Sequence, residues 1–278
     1  MSKLVLTYKD NTPFRMDMRW LSQALLDPNI VDLSKAEVPL DAPGAAAGDL
    51  FSIDGPRDAK EIVVKNSTAT LDYLGYGLGH EYQLEIEGDS GFYTAANLSG
   101  GKVIANGNTS DYSACGMNAG LFEINGNCGD YLGSAESGEK RGMSGGTILV
   151  RGDTGDFAGD LMRRGMILVE GDIGNYCASR MIAGTIAAQG AVGKFAGQNM
   201  KRGTLLFPHK PETMLPTFAD NGRHNLGYLT ILLREILSYE SKFRQLHIAR
   251  RRVQRYIGDR TVGGQGEVLV WIGGGKIK

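Results

Sequence analysis

Apolar pairs at alternate positions recur along the middle of the chain: Val103/Ala105, Phe122/Ile124, Ile148/Val150, Ile167/Val169 and Ile186/Ala188. Alternation places both members of a pair on one face of a short strand. A glycine follows each pair two positions later, and these glycines keep a register. Gly88, Gly107 and Gly126 are 19 residues apart, as are Gly152, Gly171 and Gly190. The step from Gly126 to Gly152 is 26 residues, one period plus seven. The excess falls in the polar stretch Ser134–Arg141, which reads as a loop bulging from one coil.

Further columns share the register. Six residues before each anchor, from the second on, stand Gly101, Gly120, Gly146, Gly165 and Gly184, and Gly203 continues the series. Three after it stand Gly91, Gly129, Gly155, Gly174 and Gly193, with Ser110 the exception. Five after it runs an aromatic column: Tyr93, Tyr112, Tyr131, Phe157, Tyr176 and Phe195. Nine before it run Leu98, Met117, Met143, Met162 and Met181, with Met200 next.

A chain that repeats one path stacks each strand on its copy, about 4.8 Å away. Such copies are parallel, and parallel crossovers are almost always right-handed. The fold class predicted is an all-β solenoid, a right-handed parallel β-helix over 61–207, with an N-terminal cap over 1–60 and a short helical extension and tail over 208–278. The aromatic and methionine ladders are expected inside the tube. The outward column between the paired positions reads Glu85, Ile104, Glu123, Leu149, Leu168, Ala187. It becomes apolar along the chain, which predicts a cover over the later coils.

The flanks supply caps, since open strand edges at a solenoid's ends need covering. A strand is expected at 4–6, a short helix over Met18–Leu26 and a loop over Ala42–Gly48. The segment Ile62–Val64 opens an irregular first coil running through Gly75, Gly77 and Gly79. Beyond Pro208, Pro211 and Pro216, Asn225 is placed as the cap of a helix over Leu226–Tyr239 with a wide apolar face. A second, basic helix is expected over Lys242–Ile257, carrying Lys242, Arg244, Arg250, Arg251, Arg252 and Arg255. Val268–Ile272 reads as an edge strand or a partner-binding segment.

Composition changes this picture little. Forty glycines in 278 residues is about twice the usual share of roughly 7%, as many tight turns require. No apolar run reaches the ~20 residues of a membrane helix, and no signal peptide is read at the start. The odd count of cysteines, Cys115, Cys128 and Cys177, suits free thiols in a reducing cytoplasm. A net charge of −1 argues neither way on nucleic acid by itself; no nucleic-acid or membrane partner is expected.

Catalytic signatures are sparse. His80, His209, His224 and His247 lie far apart with no HxxxH pair, so neither a metal site nor catalytic residues are assigned. The glycine loop at 75–79 lacks a phosphate-loop lysine. The stretch 152–160, GDTGDFAGD, resembles calcium β-rolls only in composition, because those repeat every nine residues; its aspartates are read as turn residues. One polar feature stands above background. Arg163 and Lys201, and likewise Arg164 and Arg202, are two periods apart, about 9.6 Å in a solenoid. Arg180 falls in a nearby column and Arg141 protrudes with the loop. The row is either a solvated surface or a contact strip for an acidic partner or polyanionic ligand.

The coils GDTGDFAG, GDIGNYCA and GAVGKFAG resemble the C-terminal glycine-repeat domain of glutamate synthase, and more closely the C-type subunit of formylmethanofuran dehydrogenase, over about residues 60–210. The extension LPTFADNGRHNLGYLTILLRE followed by RRVQRYIGDRTVGGQGEVLV looks like the bacterial version, the C-type subunit of the formyltransferase/hydrolase complex. That resemblance implies a non-catalytic structural subunit in tetrahydromethanopterin-linked one-carbon oxidation. In such a complex other subunits move formyl from the pterin through a methanofuran-type carrier to formate. No cofactor is expected on this chain, and a carrier's polyglutamate tail is one partner for the basic row. An archaeal tungsten or molybdenum formylmethanofuran dehydrogenase and a glutamate-synthase-like module stay as alternatives.

Overall fold

The computed structural model describes residues 3–10, 12–27, 29–39, 45–245 and 252–272. Thirteen strands form one large, mostly parallel sheet. In chain order these are β1 (Lys3–Tyr8), β2 (Phe51–Asp54), β3 (Glu61–Ser67), β4 (Gln83–Gly88), β5 (Ser99–Ala105), β6 (Ala119–Ile124), β7 (Thr147–Val150), β8 (Met166–Val169), β9 (Thr185–Ala188), β10 (Thr204–Phe207), β11 (Ala219–Asn225), β12 (Arg252–Gly258) and β13 (Gly266–Trp271). From β3 to β10 each strand pairs in parallel with the next. Register follows the period: Ile148 faces Ile167, Ile167 faces Ile186, and Ile186 faces Leu205. A second line of parallel bridges joins Ser90, Thr109, Cys128, Thr154, Ile173 and Val192. The chain is therefore a β-helix-like solenoid of stacked coils.

The paired apolar positions and the methionine column fill the tube. Phe122, Ile148, Ile167 and Ile186 are fully buried, as are Met117, Met143, Met162, Met181 and Met200. Each such side chain contributes about 1.5–3 kcal/mol by leaving water. Two rows of Asp and Asn bind coil to coil. Asp89, Asn108, Asn127, Asp153 and Asp172 each accept, through Oδ1, the backbone N–H of the equivalent residue one coil on, at 2.6–2.9 Å. Asp111, Asp130, Asp156 and Asn175 form the second row, at 2.6–2.9 Å. Asp153 and Asp156 are thus turn residues, as expected of the aspartates of 152–160, while Asp160 is a buried partner of Arg180.

The aromatic column corrects the sequence reading. Its rings are half-buried on the outside, and the backbone at Tyr73, Tyr93, Tyr112, Tyr131, Phe157, Tyr176 and Phe195 is left-handed, with φ between 58° and 62°. The left-handed conformation costs a non-glycine residue roughly 1–2 kcal/mol. Stacking offsets it: successive centroids lie 4.8–5.1 Å apart in near-parallel rings, each pair contributing about 0.5–1.5 kcal/mol beyond burial.

Both ends are covered by strands. At the start, β1 pairs in parallel with β3 and antiparallel with β2, and helix α1 (Arg19–Leu26) buries Trp20, Leu21, Ala24 and Leu25. The loop expected over Ala42–Gly48 is instead a short strand, Ala45–Ala46, leading into a one-turn helix, Ala47–Leu50; 42–44 lie outside the described residues. At the far end β13 continues the parallel stack on β10, then β12 and β11 follow antiparallel. Val268–Trp271 is thus an interior strand, not an edge. The basic helix expected over Lys242–Ile257 does not form among the described residues: Lys242–Gln245 is a 3₁₀ turn and 252–258 is β12. Val253, buried between the exposed Arg252 and half-exposed Gln254, follows a strand period that pairing with β13 rewards.

Helix α2 (Leu229–Ser238) starts later than expected, its N-cap is Tyr228, and no side chain caps it. Its buried Leu229, Leu233 and Ile236 cover Leu149, Leu168, Ala187, Leu206 and Leu269. This is the cover that the apolar drift of the outward column required. Two buried carboxylates pin it. Glu170 pairs with Arg151 (2.9 Å) and Lys242 (3.4 Å). Glu267 pairs with Arg255 (2.8 Å) and accepts the hydroxyls of Thr204 (2.9 Å) and Tyr228.

Candidate functional site

The loop Ser134–Arg141 bulges as the excess residues require, with 137–141 exposed. Its root is held by buried groups: the Cys115 thiol lies 3.1 Å from the Ser134 hydroxyl. Its tip folds back toward earlier coils, where Asn97 Nδ2 donates to Glu136 Oε1 at 2.9 Å and lies 3.2 Å from the Tyr76 hydroxyl. Between loop and coils lies a cleft of ≈ 620 Å³ lined by Asn97, Asn118, Glu136, Glu139, Arg141, Ser144, Arg163 and Arg164.

The sequence-predicted cations divide into three groups. Arg141, Arg163 and Arg164 converge on this cleft. Lys201 and Arg202 stand two coils from Arg163 and Arg164: Arg163 N–H donates to Met143, Ile182 to Met162 and Lys201 to Met181, each at 2.8 Å. Both are exposed and lie outside the cleft lining. None of these five forms an ion pair with a described residue. Arg180 is different. Its Nε donates to Asp160 Oδ1 at 2.9 Å, with a second bond to Oδ2, and the carboxylate is almost fully buried. Hydrogen bonding to Asp160 holds the Arg180 guanidinium above its ordinary pKa, so its charge is already matched.

Three guanidiniums without an ion pair among the described residues stand beside Asn97, Asn118 and Ser144, side chains whose chemistry can bond carboxylate or phosphate oxygens. Glu136 and Glu139 hold the cleft's own negative charge against them. The loop's charge was readable in the sequence; its return onto Asn97 was not, because nothing in SAESGEKR sets the direction of the bulge.

The thiols are withdrawn from solvent. Cys115, Cys128 and Cys177 are buried, and burial pushes each thiol up to about 12. Among the described residues no three His, Cys, Asp or Glu side chains gather as metal ligands; His247 lies outside them. No helix among them is long and apolar enough to cross a membrane.

No protein-family model and no curated protein matches the chain. Among solved structures it is similar to a chain of the formyltransferase/hydrolase complex (FhcABCD) from Methylorubrum extorquens, crystallised with methylofuran. The two share 31% identity over 96% of this chain and 98% of that one, with a TM-score of 0.86.

Proposed function

We propose, because this chain belongs to the same family as the matched chain of the formyltransferase/hydrolase complex, that it is the C-type subunit of such a complex, built as a right-handed parallel β-helix. The complex passes formyl from formyl-tetrahydromethanopterin through a methanofuran-type carrier to formate, and this chain is its non-catalytic scaffold. The observation carrying this reading is similarity along nearly the whole of both chains, caps included. The burial of all three thiols agrees with a scaffold role. The other subunits of the complex are its partners, and the carrier and pterin belong to them.

The unpaired row Arg141, Arg163, Arg164, Lys201 and Arg202 receives an acidic partner surface or the polyglutamate tail of the carrier. Exposed charge pairs contribute ~0.2–1 kcal/mol each, enough together to guide a flexible chain. Replacing Arg163, Arg164, Lys201 and Arg202 with glutamine raises the carrier's KM, or weakens assembly, more at low salt than at high. Unchanged kinetics and assembly at low salt would return the row to ordinary solvated surface. The scaffold assignment is tested by assaying the purified chain for formyl transfer and hydrolysis. Neither is expected without partners; robust turnover by the chain alone would refute it.

A further inference from the structure

The external aromatic ladder is flanked by the second row of Asp and Asn, so four of its coils present an aspartate followed by a ladder ring: Asp72–Tyr73, Asp111–Tyr112, Asp130–Tyr131 and Asp156–Phe157. Asp111–Tyr112, Asp130–Tyr131 and Asp156–Phe157 are three consecutive rungs, with rings 4.8 Å apart. Each Asp spends Oδ1 on the N–H of the next coil. The Oδ2 of Asp111 and of Asp130 has no partner among the described residues, nor do the hydroxyls of Tyr112 and Tyr131. None of the three aspartates forms an ion pair with a described residue.

The first rung of the same ladder shows how such a surface is engaged. Asp72 stands in the aspartate row, since its Oδ1 accepts the Phe92 N–H at 2.7 Å, and Tyr73 starts the ring stack. There the chain docks two arginines of its own N-terminal cap. Arg15 Nε donates to Asp72 Oδ2 at 2.8 Å while its guanidinium lies 4.4 Å from the Phe92 ring centroid. The Arg19 guanidinium covers Tyr73 at 4.3 Å while bonding the carboxylate of Asp17 in the cap rather than the row. The rungs Asp111–Tyr112 and Asp130–Tyr131 present the same carboxylate beside a ladder ring with no guanidinium of the described residues bonded to it; in the third rung Asp156 is also bonded by the Asn175 amide.

We propose that the ladder from Asp111 to Phe157 is a docking surface for an arginine-bearing helical segment of another polypeptide. Guanidinium suits it better than ammonium, because one flat group bonds a carboxylate and lies against an aromatic ring at once. A helix lying along the solenoid axis carries residues three apart at a rise of about 4.5 Å, close to the rung spacing. The proposal is independent of the formyl-handling assignment.

The test uses the full chain and an alanine-rich helical peptide with arginines at i, i+3 and i+7, with lysine and glutamate versions as controls. The variant is Asp111→Asn, Asp130→Asn and Asp156→Asn together. Asparagine keeps the Oδ1 acceptor, as Asn175 does in the next coil, where it accepts the Lys194 N–H at 2.9 Å. The arginine peptide is expected to bind the native chain at low salt and protect Tyr112 and Tyr131 from iodination. It binds the variant about tenfold more weakly, as for several lost charge pairs, while the melting temperature stays put. The lysine peptide binds more weakly than the arginine one. Asp130→Asn alone serves if the triple variant loses its melting transition. Equal binding to native chain and variant, protection of other tyrosines instead, or no binding of the arginine peptide would overturn the proposal.

Discussion

Gly171 is where the 19-residue period can be broken with one methyl group. A Cβ added there would lie 2.1 Å from Asp153 Oδ1, 2.6 Å from the Gly152 carbonyl oxygen and 2.7 Å from its carbon. Two of these atoms are backbone of the coil below, to which Gly171 N–H donates at 3.1 Å, so the coils must separate or shift. Asp153 must swing away as well and release the Asp172 N–H it holds at 2.8 Å. Overpacking costs about 1–3 kcal/mol, and the lost hydrogen bond adds about 0.5–1.5 kcal/mol. Gly171→Ala should therefore destabilise by roughly 1.5–4.5 kcal/mol on these grounds, read from the urea midpoint at constant slope. Gly79→Ala is the control, since no atom lies within 4 Å of its Cβ; it should stay within about 0.5 kcal/mol of the native chain. Adding Asp153→Ala to Gly171→Ala removes the side-chain clash and leaves the backbone one, so only part of the loss returns. Equal midpoints for Gly171→Ala and Gly79→Ala would refute the argument that glycine anchors exist to let coils approach.

Leu233→Ala, in the buried face of α2, should cost about 2–5 kcal/mol by chemical denaturation; a change near zero would mean α2 does not cover the later coils. Asp259 is buried against Asn199 and Thr261; burial opposes its charge, but bonds from the Thr261 and Asn199 N–H groups at 2.9 Å outweigh it and hold its pKa below the ordinary value. A depressed carboxyl pKa stabilises above the unfolded pKa of about 3.9 and loses that contribution as pH falls through the folded value. The Tm gap between native chain and Asp259→Asn should therefore be full at neutral pH and close in acid. Thiols raised to about 12 should resist alkylation at pH 8 in the native chain and react on unfolding; rapid native labelling would contradict their burial.

Much of the fold was legible because it is periodic. Residues such as Ile167 and Met162 carry the register directly, and the drift from Glu123 to Leu149 and Leu168 announced α2. Which side of the tube a column faces was not legible for the aromatics. Tyr112 occupies a left-handed turn position, and period alone does not distinguish a buried ladder from an external one. Of the Asp and Asn rows only the aspartates of 152–160 were read, as turn residues; the coil-to-coil bonds appear once Asp153 and Asp172 are stacked. The basic segment misled because Arg252 and Arg255 suit a helix face equally well, and only β13, far along the chain, selects a strand. Of the basic row, the columns of Arg163 and Lys201 followed from the period. The pairing of Arg180 with Asp160 did not, since it depends on a side chain reaching across to the coil below.

The central claim is that this chain is a scaffold within a formyl-handling complex. Its most direct measurement is native mass spectrometry of the chain purified, with an affinity tag, from its own source at low salt. The account predicts a multi-subunit assembly whose other chains carry the formyltransferase and hydrolase activities. A chain recovered alone, or bound to glutaminase and flavin subunits, would contradict it.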